Sequence, residues 1–341
     1  MKVLIIGGTG LISTAISREF LARGADLTLY NRGKTPARLP GGAKVLHGDR
    51  NDFAAFARQM QEAGPFDCVI DMVCFTPAQA ESAVQAFKGR VGHFIFCSTV
   101  NVYSKPARRY PITEAEPRMN VNDDYGMDKA RCEDIFMAAH ARGDFAATNI
   151  RPAQTYGEGG VIIHTLGWST TYIDRIRKGK PIIVHGDGTS LWVPCHIDDV
   201  GHAFVHAAGN PQTFGKSYHV TGEEWLTWNQ YHQQVAAALG APEPELVHIP
   251  TALLGRIAPR RVAATVNNFS ENNIFDNTAA KTDLDFHYTV PWVEGVRRTV
   301  AWLDANQRIA NSDDDPFDDR IIAAWRQLTA QMAQTLADLE S

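Results

Sequence analysis

Lys2-Val3-Leu4-Ile5-Ile6-Gly7-Gly8-Thr9-Gly10-Leu11-Ile12-Ser13 decides the fold. Residues 2–6 are a short, β-branched-rich apolar run, suited to a strand buried on both faces of a parallel sheet. The run enters three glycines and then a helical stretch that carries Ile12, Ala15, Ile16, Phe20 and Leu21 toward that sheet. Gly7 allows the tight turn, and Gly10 lets the backbone approach a pyrophosphate at the helix N-terminus. Ser13 stands where a third glycine would help helix and strand pack, and a small residue suffices there. Gly7, Thr9, Gly10, Leu11 and Ile12 are the expected dinucleotide contacts.

Strand and helix patterns alternate through the following 140 or so residues, as a doubly wound sheet requires. Strands are expected at 27–30, 44–46, 67–73, 93–97 and 145–150, with helices at 53–62, 78–87 and 125–142 between them. The second strand ends Asn31-Arg32-Gly33-Lys34, with no carboxylate for a ribose 2′-hydroxyl. Arg32 and Lys34 would meet a 2′-phosphate, which favours NADP over NAD. The alternative is that Arg32 stacks on adenine, which suits either cofactor.

Tyr125-Gly126-Met127-Asp128-Lys129 supplies the chemistry. A Tyr four residues before a Lys shares its helix face. The ammonium is expected to hold the cofactor ribose and to lower the phenol's pKa, making it a usable proton carrier. Thr99, in Ser98-Thr99 at a strand end, would hold the reacting hydroxyl or carbonyl beside it.

With these motifs in place the chain resembles the extended or atypical short-chain dehydrogenase/reductases, the NAD-dependent epimerase/dehydratase superfamily. Gly7 to Ile12, His47-Gly48-Asp49-Arg50, the strand end Phe96 to Tyr103, Tyr125 to Lys129, Arg151-Pro152-Ala153-Gln154-Thr155-Tyr156-Gly157 and Gly186 to Val200 carry the resemblance in order. It implies Thr99, Tyr125 and Lys129 as catalytic. It implies cofactor contacts from Asn31, Arg32, Asp49, Arg50, Met72, Val73, Pro152 and Gln154 beside the glycine turn. A homodimer is the family's habit. Two departures narrow the chemistry. Val100 and Asn101 replace the Asp-Glu pair expected in sugar-nucleotide 4,6-dehydratases, and Leu191-Trp192 follows the Gly186-Asp187-Gly188 turn where an Arg would grip a diphosphate. The Asn31-Arg32-Gly33 and Gly48-Asp49-Arg50 segments are similar to an atypical subgroup that includes chloroplast stem-loop-binding proteins.

The expected architecture is α/β: a Rossmann-type doubly wound parallel sheet over 1–157, with 196–221 returning to it. A smaller α+β substrate lobe is expected from 158–195 and 222–310, and an amphipathic helix over 316–341. That helix carries Ile321, Trp325, Leu328, Met332, Leu336 and Leu339 at three-to-four spacing. A net charge of −5, with no basic run longer than two residues, gives no reason to expect a nucleic-acid partner. No apolar run approaches the ~20 residues of a spanning helix. Cys68, Cys74, Cys97, Cys132 and Cys195 have no C-x-x-C spacing and read as reduced thiols of a cytoplasmic protein. His202 and His206 sit one turn apart without an evident third ligand, so no metal is expected. The reading is an NAD(P)-dependent oxidoreductase or epimerase acting on a sugar-like alcohol or ketone. The alternative is a catalytically silent NAD(P)- or RNA-binding member of the atypical subgroup.

Overall fold

The computed structural model describes residues 1–34, 41–121 and 123–337. In chain order these form β1 (Lys2–Ile6), α1 (Leu11–Ala22), β2 (Asp26–Asn31), β3 (Lys44–His47), α2 (Phe53–Ala63), β4 (Phe66–Asp71), α3 (Pro77–Phe87), β5 (Val91–Cys97), α4 (Asp124–Ala141), β6 (Ala146–Pro152) and β7 (Gln154–Tyr156). There follow α5 (Thr171–Arg177), β8 (Ile182–His185), β9 (Leu191–Trp192), β10 (Pro194–His196), α6 (Ile197–Ala207), β11 (Lys216–Val220), β12 (Leu226–Thr227), α7 (Trp228–Ala238) and β13 (Leu246–Ile249). The chain ends with α8 (Thr251–Ile257), α9 (Thr278–Leu284), α10 (Trp292–Ala305) and α11 (Phe317–Leu336).

Two compact units result. The first comprises 1–157, 193–224 and 274–292, and the second 158–192, 225–273 and 293–341. The segment 274–292, read from sequence as part of the second lobe, belongs to the first unit. Its Ala280, Leu284 and Phe286 are buried in one core with Tyr218 and Val220 of β11, and local polarity gave no sign of that long-range packing.

In the first unit seven strands form one parallel sheet in the order β11-β6-β5-β4-β1-β2-β3. Strand order reverses between β1 and β4, the point where a doubly wound sheet opens a crevice at its carboxyl edge. Alternation along each strand feeds two cores. Val3 and Ile5 face Ile16 and Phe20 of α1 and Val200, Ala203 and Phe204 of α6. Leu4 and Ile6 face Phe56 and Met60 of α2, Phe87 of α3, and Cys132 and Phe136 of α4. All five cysteines are buried and free.

In the second unit β8 pairs in parallel with β13 and β9 antiparallel with β12. Leu166, Ile183, Val247, Leu254 and Ile322 centre its core. The expected amphipathic helix is α11, but only its first half is packed. Ile322 is buried, whereas Leu328, Met332 and Leu336 are 50%, 60% and 45% exposed. Leu339 lies outside the described residues.

Phe94 is fully buried and stacks on Phe136 at 4.7 Å and on Phe145 at 5.2 Å. Phe94→Ala removes that ring from between the sheet and α4. A loss of about 3–5 kcal/mol is expected in urea unfolding.

Candidate active site

The glycine turn is held by its own groups. Gly7 adopts φ +84° and donates its N–H to the Tyr30 carbonyl at 2.8 Å, linking the ends of β1 and β2. A Cβ on Gly7 would lie 2.5 Å from Val73 Cγ1. The Ser13 hydroxyl accepts from the Gly10 N–H and donates to the Gly7 carbonyl, both at 2.8 Å. Ser13 therefore ties the turn to α1 in addition to being small, a role its sequence position did not announce. No acidic side chain lies in the first turn of α1, so its N–H groups and positive dipole end suit an anion.

Two adjoining cavities share this turn. One, of about 400 Å³, is lined by Gly7, Thr9, Gly10, Asn31, Arg32, Lys34, Asp49, Arg50 and Val73. The other, of about 250 Å³, is lined by Gly10, Leu11, Ile12, Met72, Val73, Thr99, Tyr125, Lys129 and Pro152. Gly7, Gly10, Val73 and Phe75 border both. An elongated ligand with an anionic centre fits: its middle over the α1 N-terminus, one end by Arg32, the other by Tyr125. Gln154 is the one expected contact that lines neither cavity; Ala153 and Thr155 line the second in its place.

Two of the expected contacts prove to be partly occupied. Asn31 Oδ1 accepts from the Gly33 N–H at 2.8 Å and shapes the turn that presents Arg32, which is exposed. Arg50, 5% exposed, pairs through Nη1 with the fully buried Asp71 and donates Nη2 to the Gln79 carbonyl at 2.8 Å. Asp71 Oδ1 in turn accepts from the Val73 N–H at 3.0 Å. Arg50 is thus a positioning residue for the β4 end.

Thr99, Tyr125 and Lys129 do converge. Asp123 caps α4, accepting from the Tyr125 N–H at 3.1 Å, and its other oxygen accepts from Asn101 Nδ2 at 3.2 Å. Gly126 lets the helix start close to the 100–102 turn, since a Cβ there would lie 2.2 Å from the Asn101 carbonyl oxygen. The Thr99 hydroxyl, which accepts from the Asn101 N–H at 3.2 Å, lines the same cavity as Tyr125. Lys129, 1% exposed, donates to the carbonyls of Cys74 (2.9 Å) and Cys97 (2.5 Å), with Nζ 6.0 Å from the Tyr125 ring centre. The one-turn spacing suggests that Lys129 lowers the phenol's pKa. Although 42% of Tyr125 is exposed, desolvation of its phenol end, with the nearby Cys97, pushes the phenol above its ordinary value.

Below this, Glu133 of α4 is fully buried and receives Arg151 Nε at 2.8 Å and Nη2 at 2.7 Å. Arg151 also donates to the Tyr103 hydroxyl, which meets His219 Nε2 at 2.6 Å. Burial alone would raise the Glu133 carboxyl. The charge and hydrogen bonds of Arg151 outweigh it and hold the pKa below the ordinary value. This network fixes Arg151-Pro152 against α4.

Other candidates sort cleanly. Val100 is buried and Asn101 is engaged by Asp123, so neither position presents an acid to Thr99. In the second unit Trp192 and Trp228 pack with Phe269, while Trp168 and Trp225 are 58% and 47% exposed. Lys178 and Lys180 are paired with Asp313. Asp199, in the first turn of α6, accepts from the Thr289 and Val290 N–H groups, and His196 provides the helix cap.

Glu133→Gln leaves a buried guanidinium facing a neutral partner, at a cost of about 3–5 kcal/mol near neutral pH. Because the folded carboxyl is depressed, the wild-type advantage is present above the unfolded pKa of about 4.3 and fades as pH falls through the lower folded value. Denaturant melts of both proteins from pH 7 to pH 3 should converge at the acid end.

The NAD dependent epimerase/dehydratase family matches residues 3–221. Over 242 residues the chain is 29% identical to 2'-dehydrokanamycin reductase of Streptomyces kanamyceticus, covering 71% of this chain and 68% of that one. It is 30% identical over 240 residues to UDP-glucose 4-epimerase of Mycolicibacterium smegmatis, covering 70% of each. It is 29% identical to the chloroplast stem-loop binding protein of 41 kDa b of Arabidopsis thaliana, covering 72% of this chain but only 65% of that relative. The crystal structure of UDP-glucose 4-epimerase from Bifidobacterium longum in complex with NAD+ and UDP superposes with a TM-score of 0.73 at 19% identity, over 91% of this chain and 100% of that one, a likeness of fold. The chain belongs to the NAD dependent epimerase/dehydratase family.

Proposed function

We propose that the protein is an NAD(P)-dependent oxidoreductase or epimerase that works on a secondary alcohol or ketone of a sugar-like substrate. The observation that carries this is the meeting of Thr99, Tyr125 and Lys129 at the cavity adjoining the α1 glycine turn. A bound dinucleotide would supply hydride acceptance and donation at its nicotinamide ring. Tyr125 exchanges the proton of the substrate oxygen, and Thr99 holds that oxygen in place. Lys129 Nζ keeps its remaining proton for the cofactor ribose, and Pro152 and Met72 wall the nicotinamide end. Relatives named for a dehydrokanamycin and for UDP-glucose support a sugar-like substrate. The second unit is proposed to select it. The absence of an acid at Val100 and Asn101 argues against 4,6-dehydration.

Arg32 and Lys34 at the β2 end, with no carboxylate at that position, support a preference for NADP. Thermal unfolding with NAD+, NADH, NADP+ and NADPH separately is the direct check. A ligand at 100 times its Kd adds about 2.7 kcal/mol. NADP(H) should shift the transition more than NAD(H), and Arg32→Ala should narrow the gap; no shift with any of the four would overturn the reading. Affinity for the atypical subgroup's RNA is the rival, favoured by the stem-loop-binding relative, and it would appear as salt-dependent RNA retention with no nucleotide shift.

With its pKa raised, the phenol stays protonated at neutral pH, the form from which ketone reduction starts. Oxidation needs the phenolate, so its rate should climb through neutral and alkaline pH, whereas reduction should hold until the phenol itself ionises. Tyr125→Phe should remove about 10²-fold or more of either rate while leaving nucleotide-induced stabilisation intact. Unchanged turnover in that variant would sink the assignment.

A further inference from the structure

We infer that α1 and α6 carry a binding site for a late first-row divalent cation such as zinc or nickel, formed by Glu19, His202 and His206. One ligand atom from each of these half-buried residues lies within 4.8 Å of the others. The helices can approach because small residues meet where they cross: a Cβ on Gly201 would lie 3.0 Å from the Ala15 Cβ. One turn beyond Ala15, Glu19 thereby reaches the His202/His206 pair, whose rings lie 4.0 Å apart. Two imidazoles one helical turn apart plus a carboxylate from a second element are a three-ligand set that leaves positions for water. Sequence could not show the third ligand, which is separated from His202 by 183 positions.

A cation already answers this cluster. Arg23 Nη2 sits 2.5 Å from Glu19 Oε1 and 2.7 Å from His206 Nε2. A guanidinium only donates, so His206 Nε2 presents its lone pair, the form a metal needs. His202 Nδ1 faces the same Glu19 oxygen at 3.2 Å. The Arg23 side chain is 46% exposed and can swing into solvent. A metal would exchange with the guanidinium and join α1 to α6, outside the two cavities of the redox site.

Calorimetric titration of untagged, chelator-stripped full chain with ZnCl2, and separately NiCl2, tests this. One saturable site per chain is expected, with a metal-dependent rise in melting temperature. Glu19→Gln and His206→Gln should each weaken binding at least about tenfold. Arg23→Ala keeps all three ligands and removes their competitor, so its affinity should rise several-fold. Absence of saturable binding in the wild type, or affinity indifferent to Glu19→Gln, would overturn the site. Should the His206 variant fail to fold, an Arg23→Ala affinity equal to wild type would overturn it equally.

Discussion

A lysine ammonium with 1% of its surface exposed has to be solvated by the protein around it, and the carbonyls of Cys74 and Cys97 provide that solvation. Burying an unpaired ion costs several kcal/mol, and hydrogen bonds to a charged group return about 1.5–3 kcal/mol each. The acceptors lie at the carboxyl edge, just past β4 and at the end of β5, while the donor comes from α4. Lys129 can be satisfied only when helix and both strand ends are in register. The rest of the site inherits that constraint, because Tyr125 lies one turn before Lys129 and Glu133 one turn after it.

The same edge buries two further cations, each with a carboxylate: Arg50 with Asp71 and Arg151 with Glu133. These pairs gain little net stability against apolar substitutes, yet removing one partner strands the other. Their value is positional. Arg50 fixes the β4 end through Asp71 and Val73, and Arg151 fixes the β6 end through Glu133. Between them they frame the cavity that Tyr125 lines from both flanks. The glycine turn closes the frame, with Ser13 tying it to α1.

Much of this was legible in the sequence because it is local. A β-branched run, a glycine turn and a helix are contiguous, and the Tyr125–Lys129 spacing is one helical turn. What escaped was long-range. Arg50 reads as a cofactor contact, and its second role of holding Asp71 shows only when the two are placed side by side. Likewise 274–292 reads as a second-lobe segment until Phe286 is found in the first core. Gly126 lay inside a quoted motif without a reason, which came only with the Asn101 carbonyl 2.2 Å from its absent Cβ. Charge pairing and close approach are properties of two distant segments, and no single window of sequence contains both.

The phenol makes the same point in energetic terms. A Lys one turn away suggests a lowered pKa, but an ammonium already bound to two carbonyls sits beneath the ring, and desolvation dominates. Catalysis does not require the resting phenol to be ionised. In the proposed reaction the protonated and ionised forms are interconverted as hydride moves, with the substrate oxygen and Tyr125 sharing the proton. A site that holds the proton on Tyr125 at rest is set for delivering it to a carbonyl. Positive charge gained on the nicotinamide side would favour the reverse. On the proposed function, the balance between reduction and oxidation depends on what occupies the cavity, and Thr99, which lines it with Tyr125, marks the proposed place of the substrate oxygen.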